Sequence, residues 1–346
     1  MSLYKRLLIK NIIEETADTK TFILEPKTEE DAFHYQSGQF LTLVFHSHNT
    51  EERRSFSISS SPSLSEPLSI TVKRIDNGAY SRLLIDKAAP GDELLSIGAS
   101  GFFTLPDNVA DYKQVFFFAA GSGITPIFSQ IKTLLFAEEK TQIVLIYSNR
   151  NAASTIFYSA LKNLQEQFPQ RIKIEFLFSS AVNLGRARLS KWLLEILLKE
   201  YQTGQNSDTL FYLCGPFDYM RMASIALIVH GVPDKNIHKE DFVPLKLEPK
   251  ELPPDINVHL VSIEINGTTH LLTVQYPDTI LKAAKRAGLQ MPYSCEAGRC
   301  GTCVALCKTG KVWMSYNEVL MDEEIAKGLV LTCTGYPIGG EVRLLI

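Results

Sequence analysis

The 346 residues exceed what one hydrophobic core ordinarily supports, so two or three domains are expected. A content of 45% hydrophobic and 21% charged residues with a formal net charge of −3 describes an ordinary folded chain; it excludes disorder and the strongly basic surface of a nucleic-acid binder. The N-terminal stretch MSLYKRLLIKNIIEETADTK is broken by Lys10, Asn11 and the acids that follow, so it reads neither as a signal peptide nor as a membrane span, and a cytoplasmic protein is expected.

From Leu8 to Leu105 short β-rich runs (FLTLVF, RSFSIS, LSITVK) alternate with turn signals such as APGDELLSIGASG, the pattern of an antiparallel β-barrel, assigned to residues 1–107. From Gln114 the runs VFFFAA, IVLIY, IEFLF and LFYLC alternate with segments of helical period, which predicts an α/β domain with a parallel sheet over 108–245. Within it, Gly121 and Gly123 of AAGSGITP close a strand, and Ile124, Ile127, Ile131 and Leu134 recur at helical spacing directly afterwards. That order of strand, turn and helix allows close backbone approach to a pyrophosphate, although Pro126 replaces the third glycine of the dinucleotide fingerprint. The later segment FSSAVNLGRAR places Ser179 and Ser180 at a strand end with no adjacent acid, and Arg186 and Arg188 follow within reach of a flexible loop. Cations and hydroxyls rather than a carboxylate favour NADPH over NADH. The string PLKLEPKELPPD has no apolar period and predicts a linker, set at 246–257.

Beyond it, VHLVSIEING and TTHLLTVQY predict two strands joined at Asn266 and Gly267. All six cysteines lie in the C-terminal half, four of them between Cys295 and Cys307, a poor layout for disulfides. Cys295, Cys300 and Cys303 have C-x4-C-x2-C spacing, with Cys333 distant, the plant-type [2Fe–2S] arrangement. Gly298 and Gly301 let the loop wrap closely and turn N–H groups toward sulfur. Structural zinc favours paired C-x2-C units, and one such pair occurs here; Cys307 falls outside the ligand pattern.

The run TILKAAKRAGLQMPYSCEAGRCGTC resembles the helix and ligand loop of plant-type ferredoxins, a resemblance covering 258–346 that implies an α+β β-grasp domain. Residues 1–245 resemble the ferredoxin-NADP reductase superfamily through RSFS and VKRIDNGAYS. The resemblance implies that Arg54 meets the flavin phosphate, that Phe56 (usually Tyr) stacks near the ring and that the Ser57 hydroxyl reaches N5. Val72, Gly78, Ala79, Tyr80 and Ser81 would follow the pyrophosphate of FAD, the expected flavin. It also adds Thr125 to Gly121 and Gly123, sets Cys214 beside the reacting nicotinamide carbon with Gly215 and Pro216, and brings Glu240 and Phe242 near the flavin. Catalytic roles are thus implied for Ser57, Cys214 and Glu240. The domain order resembles reductase components of multicomponent oxygenases and desaturases, most closely the phenylacetyl-CoA epoxygenase type. It implies electron flow from NADPH or NADH through FAD and a [2Fe–2S] cluster to an oxygenase, hydroxylase or desaturase. A general NAD(P)H:acceptor reductase and a redox sensor without turnover are the alternatives.

Overall fold

A computed structural model describes residues 3–47, 50–137, 140–242 and 251–346. Six strands make the first sheet: β1 (Lys5–Thr16), β2 (Thr19–Pro26), β3 (Phe40–Ser47), β4 (Thr50–Ser57), β5 (Ser69–Lys73) and β6 (Glu93–Ser100). They run antiparallel in the order β4-β3-β6-β1-β2-β5, and an Ile58–Ile70 bridge brings the two edges together as a barrel. Its core is Leu7, Ile9, Phe22, Leu41, Leu43, Ile70 and Val72, capped by Leu84 and Ile85 of helix α1 (Ala79–Lys87).

The second sheet is parallel, in the order β11-β10-β7-β8-β9. Its strands β7 (Gln114–Ala120), β8 (Gln142–Asn149), β9 (Ile172–Phe178), β10 (Thr209–Cys214) and β11 (Ile237–Glu240) alternate with helices α2 (Ile124–Ala137), α3 (Tyr158–Gln167), α4 (Lys191–Tyr201) and α5 (Phe217–Val229). Helices on both faces make β7 apolar on both: Phe117 packs into one core, Phe116 and Phe118 into the other. The strand order reverses between β7 and β10, which opens a crevice at their C-terminal ends.

The third sheet, β13-β12-β16-β14-β15, belongs to the C-terminal domain. It comprises β12 (His259–Ile265), β13 (Thr268–Val274), β14 (Val304–Met314), β15 (Leu329–Leu331) and β16 (Gly335–Leu345), with α6 (Ile280–Arg286) packed on it and α7 (Asp322–Ala326) beside β15. Asn266 and Gly267 both have positive φ, +50° and +78°, at the β12–β13 turn. Residues 246–250 of the expected linker lie outside the described residues. Its remainder is irregular and is pinned at Asp255, which accepts from the N–H groups of Asn257 and Gly339 at 3.0 Å each. Among the described residues no helix is long and apolar enough to cross a membrane.

Candidate functional site

The cysteine loop runs from α6 to β14, with Cys333 just beyond β15. Glu296, Gly298 and Gly301 are left-handed, at φ +51°, +73° and +72°. A Cβ on Gly298 would lie 2.7 Å from the Tyr316 carbonyl, and one on Gly301 2.5 Å from the Phe102 ring. In the loop the Cys295 sulfur accepts from the Ala297 N–H at 3.4 Å and the Cys300 thiol donates to the Thr302 hydroxyl at 3.5 Å, with Cys295 beside Cys300 and Cys303 beside Cys333. Three cysteines from one loop and a fourth from beyond β15 fit the two irons of a [2Fe–2S] cluster. The neighbouring Cys300 thiol and the N–H groups of Arg299, Ala297 and Cys300 hold the Cys295 thiol below the usual range.

A cavity of about 430 Å³ lies against this loop and has walls from all three domains. Arg54 and Ser57 of β4, Glu240 and Phe242 at the end of β11, and Cys295 and Cys300 all line it. Arg54 sits 5.0 Å over the Tyr80 ring and pairs with Glu52 at 2.7 Å. Gly78 caps α1, with Ala79 and Tyr80 in its first turn, where N–H groups lack partners within the helix. Ser81 shapes that turn: its hydroxyl donates to the Gly78 carbonyl and accepts from the Ile75 N–H. Two residues expected near the flavin have apolar surroundings. Phe56 packs onto the barrel core and is absent from the cavity wall, and the Val72 side chain is inside that core, leaving its backbone on an edge strand as the contact it can offer. Glu240 lies opposite Cys214 in the β10–β11 register, and burial, Asp241 and Cys295 push its carboxyl up to about 8.

The crevice between β7 and β10 is a cleft of about 1010 Å³ lined by Gly121, Gly123, Ser179, Gly215, Pro216 and Phe242, among others. Gly121 has φ +55° and a Cβ there would meet nothing within 4 Å, so it faces open cleft. On Gly123 a Cβ would come within 2.1 Å of the Cys214 carbonyl, so this glycine lets the turn sit on β10. Thr125 is buried and donates to the Ser122 carbonyl at 2.9 Å, closing the turn rather than facing the cleft. Cys214 is wholly buried and also does not line the cleft; burial, with Glu240 and Asp241 adding to it, pushes its thiol up and leaves it neutral.

Arg186 requires a correction. It pairs with Glu175 at 2.8 Å and Glu200 at 2.6 Å and does not line the cleft, whereas Arg188 and Arg150 do. The sequence reading also missed Arg53, Ser55, Phe102, Asp241 and Arg299, which join the cysteine loop to the other two domains. Adjacent arginines on a strand point to opposite faces, a signal that one of Arg53 and Arg54 is turned inward.

The chain matches three family descriptions in order: "Oxidoreductase FAD-binding domain" over 6–104, "Oxidoreductase NAD-binding domain" over 117–224 and "2Fe-2S iron-sulfur cluster binding domain" over 263–337. It is 33% identical over 350 residues to the ferredoxin reductase component of 3-ketosteroid-9-alpha-monooxygenase from Mycolicibacterium smegmatis, covering 98% of this chain and 96% of the relative. It is 32% identical over 348 residues to a component of the 1,2-phenylacetyl-CoA epoxidase of Escherichia coli, covering 99% and 97%. Among solved structures it shares the fold of phthalate dioxygenase reductase, at 24% identity and TM-score 0.60, covering 99% of this chain and 98% of that one.

Proposed function

Because the chain belongs to the family of FAD- and NAD-binding ferredoxin reductases with a C-terminal 2Fe–2S domain, we propose that it takes hydride from NAD(P)H and delivers electrons singly to an oxygenase. One observation carries this reading: a single cavity has walls from the flavin barrel, the end of the nucleotide sheet and the cysteine loop. Bound there, FAD supplies the exchange between a two-electron donor and one-electron acceptors, with NAD(P)+ and a proton as the other products.

The chain's own part is binding, orientation and exclusion of water. Arg54 offers its guanidinium to a flavin phosphate, and the first turn of α1 at Ala79 and Tyr80 offers N–H groups to a pyrophosphate, the Gly78 N–H being taken by the Ile75 carbonyl at 2.9 Å. Ser57 brings its hydroxyl to the same cavity as Glu240. Gly121 and Gly215 admit the dinucleotide backbone at the crevice, and Arg150, Ser179 and Arg188 suit a ribose 2′-phosphate, so NADPH is the favoured donor. Asp241 and Phe242 line both cavity and cleft, so they stand where the nicotinamide and flavin sites adjoin. Cys295, Cys300, Cys303 and Cys333 would hold the cluster, which would supply the one-electron acceptor beside the flavin. Thiolate ligands need a reducing compartment, and the cytoplasm is the location we assign. The relatives serve a ketosteroid monooxygenase and a phenylacetyl-CoA epoxidase on the same scaffold, so the oxygenase, not this chain, sets the final substrate.

The test is composition together with a divided assay. Purified protein is expected to carry one FAD and two irons per chain. Cys300→Ser should abolish electron delivery to cytochrome c while NAD(P)H-dependent ferricyanide reduction persists. Stoichiometric zinc in place of iron, or loss of both activities together in the mutant, would reject the scheme.

A further inference from the structure

Arg53 and Arg54 are neighbours on β4, yet the Arg53 side chain is 3% exposed and Arg54 is 51% exposed. The Arg53 guanidinium crosses into the C-terminal domain. Its Nη1 donates to the carbonyls of Met291 and Tyr293 at 3.1 Å each, and it lies 3.7 Å over the Tyr293 ring, with Glu51 against its Nε at 2.6 Å. Met291 and Tyr293 lead directly into Cys295. Further along β4, the Ser55 hydroxyl meets that of Ser294 at 2.7 Å. The nucleotide domain holds the loop from its other side: Arg299, between Cys295 and Cys300, is 5% exposed and pairs with Asp241 at 3.2 Å, which follows Glu240 and precedes Phe242.

Linked domains move relative to each other by default unless a specific interface holds them. Taking a guanidinium out of water is costly and is offset only by well-placed acceptors, which both arginines have here. A module resting loosely on its neighbours would leave such side chains in solvent. We propose that Arg53 and the Arg299–Asp241 pair are positioning residues that fix the cysteine loop to the flavin barrel and to the end of β11, setting the gap that electrons cross between flavin and cluster. The proposal rests on the function given above. For each hydride taken from NAD(P)H two electrons cross this contact singly to a one-electron acceptor, and NAD(P)+ and one proton are released.

The experiment uses the full-length protein, with FAD and iron assayed first in every sample. A parent lacking either group overturns the functional reading, and the positioning role falls with it; a loaded parent isolates the positioning role. After rapid mixing of loaded Arg53→Met with NADPH, cluster reduction followed by electron paramagnetic resonance should slow roughly tenfold to hundredfold more than flavin reduction does. Arg53→Lys, which keeps the charge without the planar fork, should recover part of the loss. Independently of turnover, amide hydrogen exchange over residues 291–300 should accelerate in Arg53→Met and in Asp241→Asn. If Arg53→Met does not fold, Arg53→Lys and Asp241→Asn carry the same measurements. A ratio of cluster to flavin reduction equal to the parent's, or unchanged exchange at 291–300, overturns the proposal.

Discussion

Arg186 and Arg188 stand two positions apart in one loop and have different partners. Glu200 and Glu175 together hold the Arg186 guanidinium and raise its pKa further, so it braces the loop against α4 and β9. Arg188 lines the cleft with Arg150 and Ser179, which the strand ends bring together: the Ser179 and Ser180 N–H groups donate to the carbonyls of Asn149 and Arg150. A hydrogen bond to a charged group contributes about 1.5–3 kcal/mol, so Arg188→Ala should lower kcat/KM for NADPH about tenfold to hundredfold relative to NADH. Arg186→Ala should lower both cofactors alike, through the loop. Steady-state kinetics with both nucleotides checks this, and a parent that prefers NADH rejects it. The sequence could not separate the two arginines because the acids that capture Arg186 lie 11 and 14 residues away and reach it only through the fold.

Strands and helices themselves were legible where their periods are strong. The unbroken apolar run of β7, the glycines before α2 and the Asn-Gly turn between β12 and β13 all announce themselves locally, and the cysteine spacing is as explicit. What stayed hidden depends on strand phase and on distant partners. The motif residues Phe56, Val72 and Cys214 are present in the expected order, yet Val72 and Cys214 are buried in the cores and Phe56 packs half-buried against the barrel core. Arg53 finds its carbonyls 238 and 240 residues away, beyond any local pattern. The two glycines of the β7–α2 turn give an element-level test. Gly123→Ala drives a Cβ to 2.1 Å from a backbone oxygen of β10, an overpacking of about 1–3 kcal/mol or more, and should lower the unfolding midpoint. Gly121→Ala meets no atom but projects into the cleft at φ +55°, so it should raise KM for NAD(P)H with the smaller stability loss. Chemical denaturation alongside kinetics distinguishes them, and the reverse ranking in stability would reject the assignment.

At the scale of the whole molecule, each domain has its own hydrophobic core, and the three meet at the cysteine loop. In the C-terminal core Cys303 and Cys333 are buried beside Ala305 and Leu331, so metal ligation and packing are joined there. Removing iron with a chelator should therefore lower the unfolding temperature of the 258–346 domain selectively, leaving NAD(P)H-dependent ferricyanide reduction by the other two. Calorimetry on the iron-containing and chelated protein checks this, and an unchanged profile would show that the loop needs no metal to hold its fold. The shared cavity also bears on biosynthesis. Its walls come from residues 40–57, 240–242 and 293–300, so a chain growing from its N-terminus completes the barrel wall early and the cysteine-loop wall last. A flavin captured before residues 293–300 are made would lack that wall of its chamber. The wall from residues 293–300 is added only when the C-terminal domain folds against the barrel, so the flavin's surroundings are completed well after the barrel that first receives it.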